Sequence, residues 1–345
     1  MTLGIDAHKY NHTVVAVDGL GTKLGERTGG TTSKHNLELL QGAAKFGRDR
    51  RWAVADCRQL SRRLEHELLG AGEAMVRVPP KLMAHARDGA RTFGKSDPIA
   101  ALAVARAALR EPDLPTARLG GDARAVRMLV DHREDLVSQR TRIINRIRWH
   151  LHELDPEFRV PLRCLDLPRS LQAIAQLLAK HQGLVARLAT ELADRCAELP
   201  CRIDALEREI ASLVTELAPS LLAIQGCGPL SAAKLLGETA GVSRFRSPDA
   251  FARHNGTAPL LVWSSNRVRH RLSRTGNRQI NAAIHCIAVT QAHWSPEARA
   301  YLERRRQSCD TKMESLRVLK RRPSEVLFRA ILAGAVFPRA CPVAA

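Results

Sequence analysis

The hydrophobic period changes once along this chain, and that change restricts its fold more than any other feature. Within the first eighty residues apolar side chains recur at alternate positions in short runs; beyond about residue 120 they recur every three or four positions in long ones. "TLGIDAH", "HTVVAVDG", the weaker "TKLGERTGG", "RRWAVADC" and "GEAMVRVPP" read as five strands, with the helical "SKHNLELLQGAAKFG" between the third and fourth. Five strands with flanking helices assemble most economically as a mixed sheet, so the first region, 1–116, is expected to be α/β. It closes on "GKSDPIAALAVARAAL", which opens like a helix: Ser96 is a candidate N-cap and Pro98 falls in the first turn.

A second region, 117–223, carries long helical patterns. In "CRIDALEREIASLVTEL" the residues Ile203, Leu206, Ile210, Leu213 and Leu217 keep three- and four-residue spacings, and "VRMLVDHREDLVSQRTRIINRIRWHLHEL" is similar. This reads as a helical hairpin or central coiled coil, a linker or oligomerisation arm whose stripe calls for a partner chain. A third region, 224–345, is mostly helical with one irregular basic stretch.

Charge narrows the function. Against 35 Asp and Glu stand 54 Lys and Arg, a net +19, which points to a polyanionic partner, nucleic acid before a membrane surface. No apolar run reaches the roughly 18 residues of a spanning helix, and no signal peptide precedes "MTLGIDAHKY". A cytoplasmic, nucleoid-associated protein is expected. Cys57, Cys164, Cys196, Cys201, Cys227, Cys286, Cys309 and Cys341 form no CxxC pair, so neither a zinc site nor a disulfide framework is indicated.

Three stretches could meet phosphates. In "GCGPLSAAKLLGETAG" Gly226 and Gly228 precede a helix expected from Ser231, with Lys234 inside it, a pattern resembling a helix-hairpin-helix; a plain packing corner would use the same glycines. "VWSSNRVRHRLSRTGNR" places Arg267, Arg269, Arg271, Arg274 and Arg278 after the adjacent Ser264 and Ser265, without acids to offset the charge. "QRTRIINRIRWH" adds Arg142, Arg146 and Arg148. One acid stands oddly alone. Asp97 shares a helix face with position 100, where a second carboxylate would complete a pair suited to Mg²⁺, and position 100 is Ala100.

"GIDAHK", "GKSDPI", "GCGPLSAAKL" and "HRLSRTGNRQINAAIH", in this order, resemble the insertion-sequence transposases of the IS-one-ten type, bridge-RNA-guided DNA recombinases. The resemblance implies an N-terminal resolvase-like, RNase-H-type domain bearing three aspartates and one glutamate. It further implies a coiled coil and a C-terminal transposase domain with a nucleophilic serine. Mg²⁺, a bridge RNA, donor and target double-stranded DNA and a dimer-to-tetramer assembly belong to the same expectation.

By that resemblance Asp6 is the first aspartate and Asp97 the third acid, the two left to hold metal. The glutamate position is Ala55 and the fourth acid position is Ala100. Asp56 is a poor substitute, because successive side chains on a strand point to opposite faces. The chain therefore reads as an inactivated variant, engineered or decayed. Counting from "NGTAP" puts the serine on Ser264, with Ser265 as the alternative. Two other readings remain open: a metal-dependent junction-resolving nuclease, and a non-catalytic scaffold for RNA and DNA.

Overall fold

A computed structural model describes residues 1–345 except 48, 56–59, 89–93, 95, 112, 113, 115, 118–120, 160–164, 166, 240, 265, 266, 273–275, 308–310 and 335–345. The chain divides into two compact units, Met1–Gly120 and Gly121–Ala345.

The first unit is built on the five expected strands: β1 (Thr2–Ala7), β2 (Asn11–Val17), β3 (Lys23–Gly30), β4 (Arg51–Ala55) and β5 (Ala74–Val78). Their order is β3-β2-β1-β4-β5. β2 runs antiparallel to β1 and β3, whereas β4 runs parallel to β1 and β5, a mixed sheet. Helices α1 (Ser33–Ala43) and α2 (Arg62–Gly70) cover one face, α3 (Pro80–Asp88) and α4 (Asp97–Arg110) the other.

Alternation along the strands decides which residues face which layer. Leu3, Ile5 and Ala7 pack with Val14, Ala16, Trp52 and Val54 beneath Leu39, Leu64 and Leu68 of α1 and α2. On the opposite face Val15 and Val17 meet Ala101 and Ala105 of α4, while Ala53, Ala55, Val76 and Val78 meet Ala103, Val104, Ala107 and Ala108. Gly4 belongs to this second face and decides how near α4 can come. A Cβ there would lie 2.1 Å from the Ala101 carbonyl oxygen and 2.5 Å from the Ala105 backbone nitrogen. The helix rests directly on the backbone of β1, and only glycine under an alanine-rich helix permits that. Two arginines tie the helix down: Arg106 Nε donates to the Gly21 carbonyl at 3.1 Å, and Arg51 Nη2 to that of Ala108 at 2.6 Å.

The second unit begins with α5 (Gly121–Leu154), α6 (Pro168–Leu178) and α7 (Leu184–Leu217). α5 and α7 lie antiparallel. Val126 and Val130 meet Ile210 and Val214 at one end, and Ile143, Ile147 and Leu151 meet Ala189, Ala193 and Cys196 toward the other, where α6 adds Ile174 and Leu177. Arg133 reaches Glu207 across the pair, with Nε 2.9 Å from Oε1. The stripe that the sequence assigned to a partner chain is thus filled within the chain. α7 also starts 17 residues before Cys201 and runs through Pro200. The missing N–H and ring clash of an interior proline cost about 3 kcal/mol, here opposed by a continuous buried row of Ala186, Ala189, Ala193, Cys196, Leu199 and Ile203.

Beyond them come α8 (Pro219–Leu222), α9 (Pro229–Thr239), α10 (Pro248–His254), strands β6 (Pro259–Ser264) and β7 (Arg267–Leu272), then α11 (Arg278–Trp294), α12 (Pro296–Gln307), α13 (Lys312–Leu319) and α14 (Arg321–Gly334). Phe251, Ile280, Ile284, Ile287, Leu327 and Phe328 share one core with Val126, Val130, Ile210 and Val214. The basic stretch expected to be irregular is an antiparallel ribbon, with Val262 opposite Arg269 and Ser264 opposite Arg267. The arginines at alternate positions hid a strand period, because charge rather than apolarity marks every second residue. Cys196, Cys201, Cys227 and Cys286 are joined in no disulfide, and burial pushes the Cys227 thiol up to about 12.

Replacing Gly4→Ala should force α4 off the sheet. Because backbone atoms block the methyl group, the loss should reach the upper part of the usual overpacking range of about 1–3 kcal/mol, read as a lower denaturation midpoint of the full chain. A second outcome concerns His254, whose ring lies 4.9 Å from that of Phe245 and whose Nε2 is 3.3 Å from Arg244 Nη2. Burial, reinforced by the Arg244 charge, holds it down at about 4 against an ordinary 6.5. The unfolded chain therefore binds this proton first, so its contribution is full above pH 6.5 and is lost as pH falls toward 4, of order 3 kcal/mol. His254→Gln should flatten that part of the acid-denaturation profile.

Candidate active site

In the first unit, three side chains converge where β1 ends and α4 begins. Asp6 lies on the α4 face of β1, on the same side as Gly4. Its neighbour in β2 is Thr13, which shares a hydrogen bond of 2.9 Å with Thr28. Asp97 is the first residue of α4. Ser96 holds the N-cap position in extended backbone, its carbonyl accepting from the Ala100 N–H at 3.0 Å, while its side chain makes no capping bond. Between the two acids stands His8, whose Nε2 is 3.1 Å from Asp6 Oδ2 and 3.4 Å from Asp97 Oδ1. Burial pushes the Asp6 carboxyl above its ordinary value, and the Asp97 charge pushes the same way; His8 pulls against both.

The alanine positions border this cluster. Ala55 ends β4, one step beyond the Ile5–Val54 pair, and is buried on the sheet face that also carries Asp6. Ala100 is half-buried, one turn along α4 from Asp97. Asp56 falls outside the described residues. Side chains replacing these two methyl groups would enter the pocket from the adjacent strand and from the same helix face.

The residues suit a divalent cation. One ligand atom each from Asp6, His8 and Asp97 lies within 4.8 Å of the others. Bonds of about 2.1 Å in octahedral geometry set neighbouring donors about 3 Å apart, close to the two observed separations. Sequence reasoning found the two acids and missed the histidine. The signal was present, because residues 6 and 8 are two apart and alternation along an extended segment returns the chain to the same face.

The second unit carries the other candidates. Ser264 is the last residue of β6, and Arg267, Arg269 and Arg271 occupy alternate positions of β7. Ser265 and Arg274 fall outside the described residues, and Arg278 is exposed at the start of α11. The foot of the ribbon is clamped by a buried polar network that the sequence did not announce. Asn255 Nδ2 donates to Ser324 at 2.8 Å, the Asn255 carbonyl accepts from Asn281 Nδ2 at 2.7 Å, and the Asn277 N–H donates to the His254 carbonyl at 2.7 Å. Asn277 also caps α11, accepting from the Gln279 and Ile280 N–H groups, and donates to Glu238. A Cβ on Gly276 would lie 2.4 Å from the Gly256 nitrogen, so the two ends of the ribbon meet backbone to backbone.

The remaining sites differ from a simple phosphate cradle. α9 begins at Pro229, ahead of the expected Ser231. Gly226 has a φ of +85°, and a Cβ there would sit 3.0 Å from the Ile287 carbonyl oxygen, so its lack of a side chain serves packing against α11; the space about Gly228 is open. Lys234 pairs with Glu134 of α5. Arg142 and Arg146 are exposed on α5 and Arg148 is half-buried. Trp149, three residues past Arg146, is 78% exposed.

A family model described as "Transposase", that of the IS110 DEDD transposases, matches residues 3–156, and one described as "Transposase IS116/IS110/IS902 family" matches 218–303. The first spans Asp6, Ala55, Asp97 and Ala100, the second Ser264 and the ribbon. The chain is 26% identical over 388 residues to the insertion element IS116 uncharacterized 44.8 kDa protein of Streptomyces clavuligerus, covering 99% of this chain and 97% of that one. To the insertion element IS900 uncharacterized 42 kDa protein of Mycobacterium paratuberculosis it is 25% identical over 393 residues, covering 99% and 98%. Among solved structures, T. thermophilus RuvC in complex with a Holliday junction substrate matches at 16% identity and a TM-score of 0.26, over 32% of this chain and 93% of that one. No helix among the described residues is long and apolar enough to cross a membrane.

Because partial burial disfavours the Asp6 charge, Asp6→Asn should raise the denaturation midpoint of the apo chain by a small amount. The same change should remove any further rise in the midpoint on adding a divalent cation, which differential scanning calorimetry reads in one experiment.

Proposed function

The chain belongs to the IS110-type transposases, and from that premise we propose that it is built to cut and exchange DNA strands through Ser264, assisted by an acidic metal site, under the guidance of a bridge RNA. A transposase is an enzyme acting on DNA, and the acidic domain calls for a divalent metal; Mg²⁺, the serine, the RNA and the inactivation belong to the proposal. The observation that carries it is the half-filled pocket. Asp6 and Asp97 are held together by α4, and the two positions where further acids are expected, Ala55 and Ala100, lie on the same sheet face and the same helix face respectively.

The chemistry requires little beyond positioning. The Ser264 Oγ attacks a backbone phosphorus, a phosphate ester to the protein forms, and a deoxyribose oxygen leaves, taking up the proton that the serine gives up. Attack by a hydroxyl of the incoming strand reverses the step and rejoins the DNA. One ester replaces another, so no energy source is consumed. Arg267, opposite Ser264 in the ribbon, and Arg269 and Arg271 beyond it supply positive charge where the phosphate oxygens gather negative charge. A bound divalent cation would act as a Lewis acid on a phosphate or hydroxyl oxygen. Arg142, Arg146 and Trp149 offer charge and a stacking face to nucleic acid along α5. Exchange of two strands needs more than one nucleophile, which supports an assembly of dimers into a tetramer.

As it stands the chain should bind its RNA and DNA and stall. Ala55→Glu combined with Ala100→Asp should give Mg²⁺-dependent recombination of matched donor and target with the copurified RNA. In that restored chain Ser264→Ala should abolish the covalent protein–DNA adduct and lower turnover by several orders of magnitude, with RNA still bound. Equal recombination with and without the restored acids would refute the pocket assignment. Loss of the adduct on Ser265→Ala alone would move the nucleophile by one residue. Metal-dependent cleavage without any adduct would favour a resolving nuclease, and no cleavage by any variant would favour a scaffold.

A further inference from the structure

His8 is the one member of the convergent cluster that the family reading does not use. It follows β1 in a turn closed by its own N–H, which donates to the Asn11 carbonyl at 2.9 Å. That bond fixes the backbone so that the ring leans back over Asp6 and meets the first residue of α4. With alanines at 55 and 100, the described residues of the cluster contribute two carboxylates, and the imidazole nitrogen is the third donor, 3.1 and 3.4 Å from one oxygen of each. The ring is half exposed, and its hydrogen bond among the described residues is the one to Asp6.

We propose that His8 is a metal ligand, so that Asp6, His8 and Asp97 together hold a first-row divalent transition-metal ion, Mn²⁺ among them, in preference to Mg²⁺. The preference follows from the donor set. An imidazole nitrogen suits first-row transition metals, Mn²⁺ being the weakest binder of that series, while Mg²⁺ favours carboxylate and water oxygens in near-ideal octahedral geometry. A site of two carboxylates and one imidazole leaves the remaining positions to water and to an oxygen of a bound phosphodiester. The inference rests on the reading of this pocket as a metal site and adds to it a ligand and a selectivity.

The experiment uses the full chain, as given and as the Ala55→Glu/Ala100→Asp variant, loaded with Mn²⁺ alone. Paramagnetic resonance counts the bound cation, and pulsed measurement on ¹⁵N-histidine-labelled protein detects a coordinated histidine nitrogen without any reliance on activity. Histidine coupling is expected in both chains and should vanish on His8→Ala, with Mn²⁺ affinity falling about tenfold or more and Mg²⁺ affinity changing by much less. His8→Asp should restore cation binding without the nitrogen coupling and shift preference back toward Mg²⁺. Bound Mn²⁺ with no histidine coupling, or coupling that survives His8→Ala, would overturn the assignment of His8 while leaving the metal pocket standing. Failure of both chains to bind any divalent cation would overturn the pocket and the ligand together.

Discussion

A contact between two backbones sets the geometry of the first unit. At Gly4 the sheet offers no side chain, and α4 settles so closely that even a methyl group would collide with the Ala101 carbonyl and the Ala105 nitrogen. The same helix presents alanine at 101, 103, 105, 107 and 108, so it can lie close against β1, β2, β4 and β5 with little side-chain thickness between. The consequence is chemical as well as structural. A helix held that near to β1 delivers Asp97, its first residue, to the cluster of Asp6 and His8; a thicker layer of leucines would have kept the carboxylates apart.

The second unit solves a different problem, which is how to hold an arginine-bearing ribbon on a helical body. The α5–α7 pair and the core around Phe251, Ile284 and Phe328 give the rigid mass. The ribbon joins it through polar bonds, with Asn255, Ser324, Asn281 and Asn277 each satisfying a backbone or side-chain group that burial would otherwise leave unpaired. Such a network is costly unless complete, because each unpaired group in a dry interior costs more than a hydrogen bond returns. A clamp of this kind fixes the ends of the ribbon on the helical body.

Electrostatics shape each unit in its own way. Burial disfavours the ionised Asp6 carboxylate, and the nearby Asp97 charge adds to that in the same direction, so the Asp6 carboxyl is pushed up. With alanine at 55 and 100, the described cluster consists of the Asp6 and Asp97 carboxylates with the His8 imidazole between them. The arginines of β7 carry the opposite liability, since like charges stand at alternate positions of one strand with no acid between them in the sequence.

Much of this was legible in the sequence. The two-residue period of "TLGIDAH" and its companions determined a five-stranded sheet, because a strand buried on both faces must place side chains alternately. The 3.6 period determined the long helices, and the helix signal around Ser96 and Pro98 placed Asp97 at the start of one of them. Other features were decided only in three dimensions. That Ile203, Ile210 and Val214 are covered by α5 of the same chain, that Pro200 is carried inside a helix, and that the arginines lie on a strand all depend on which segments meet, and local preference is overridden where burial gains more than propensity loses. His8 shows the division most clearly: the sequence set it on the same side of the chain as Asp6, but only the docking of α4 over Gly4 brought it within reach of Asp97, because that contact joins residues nearly ninety positions apart.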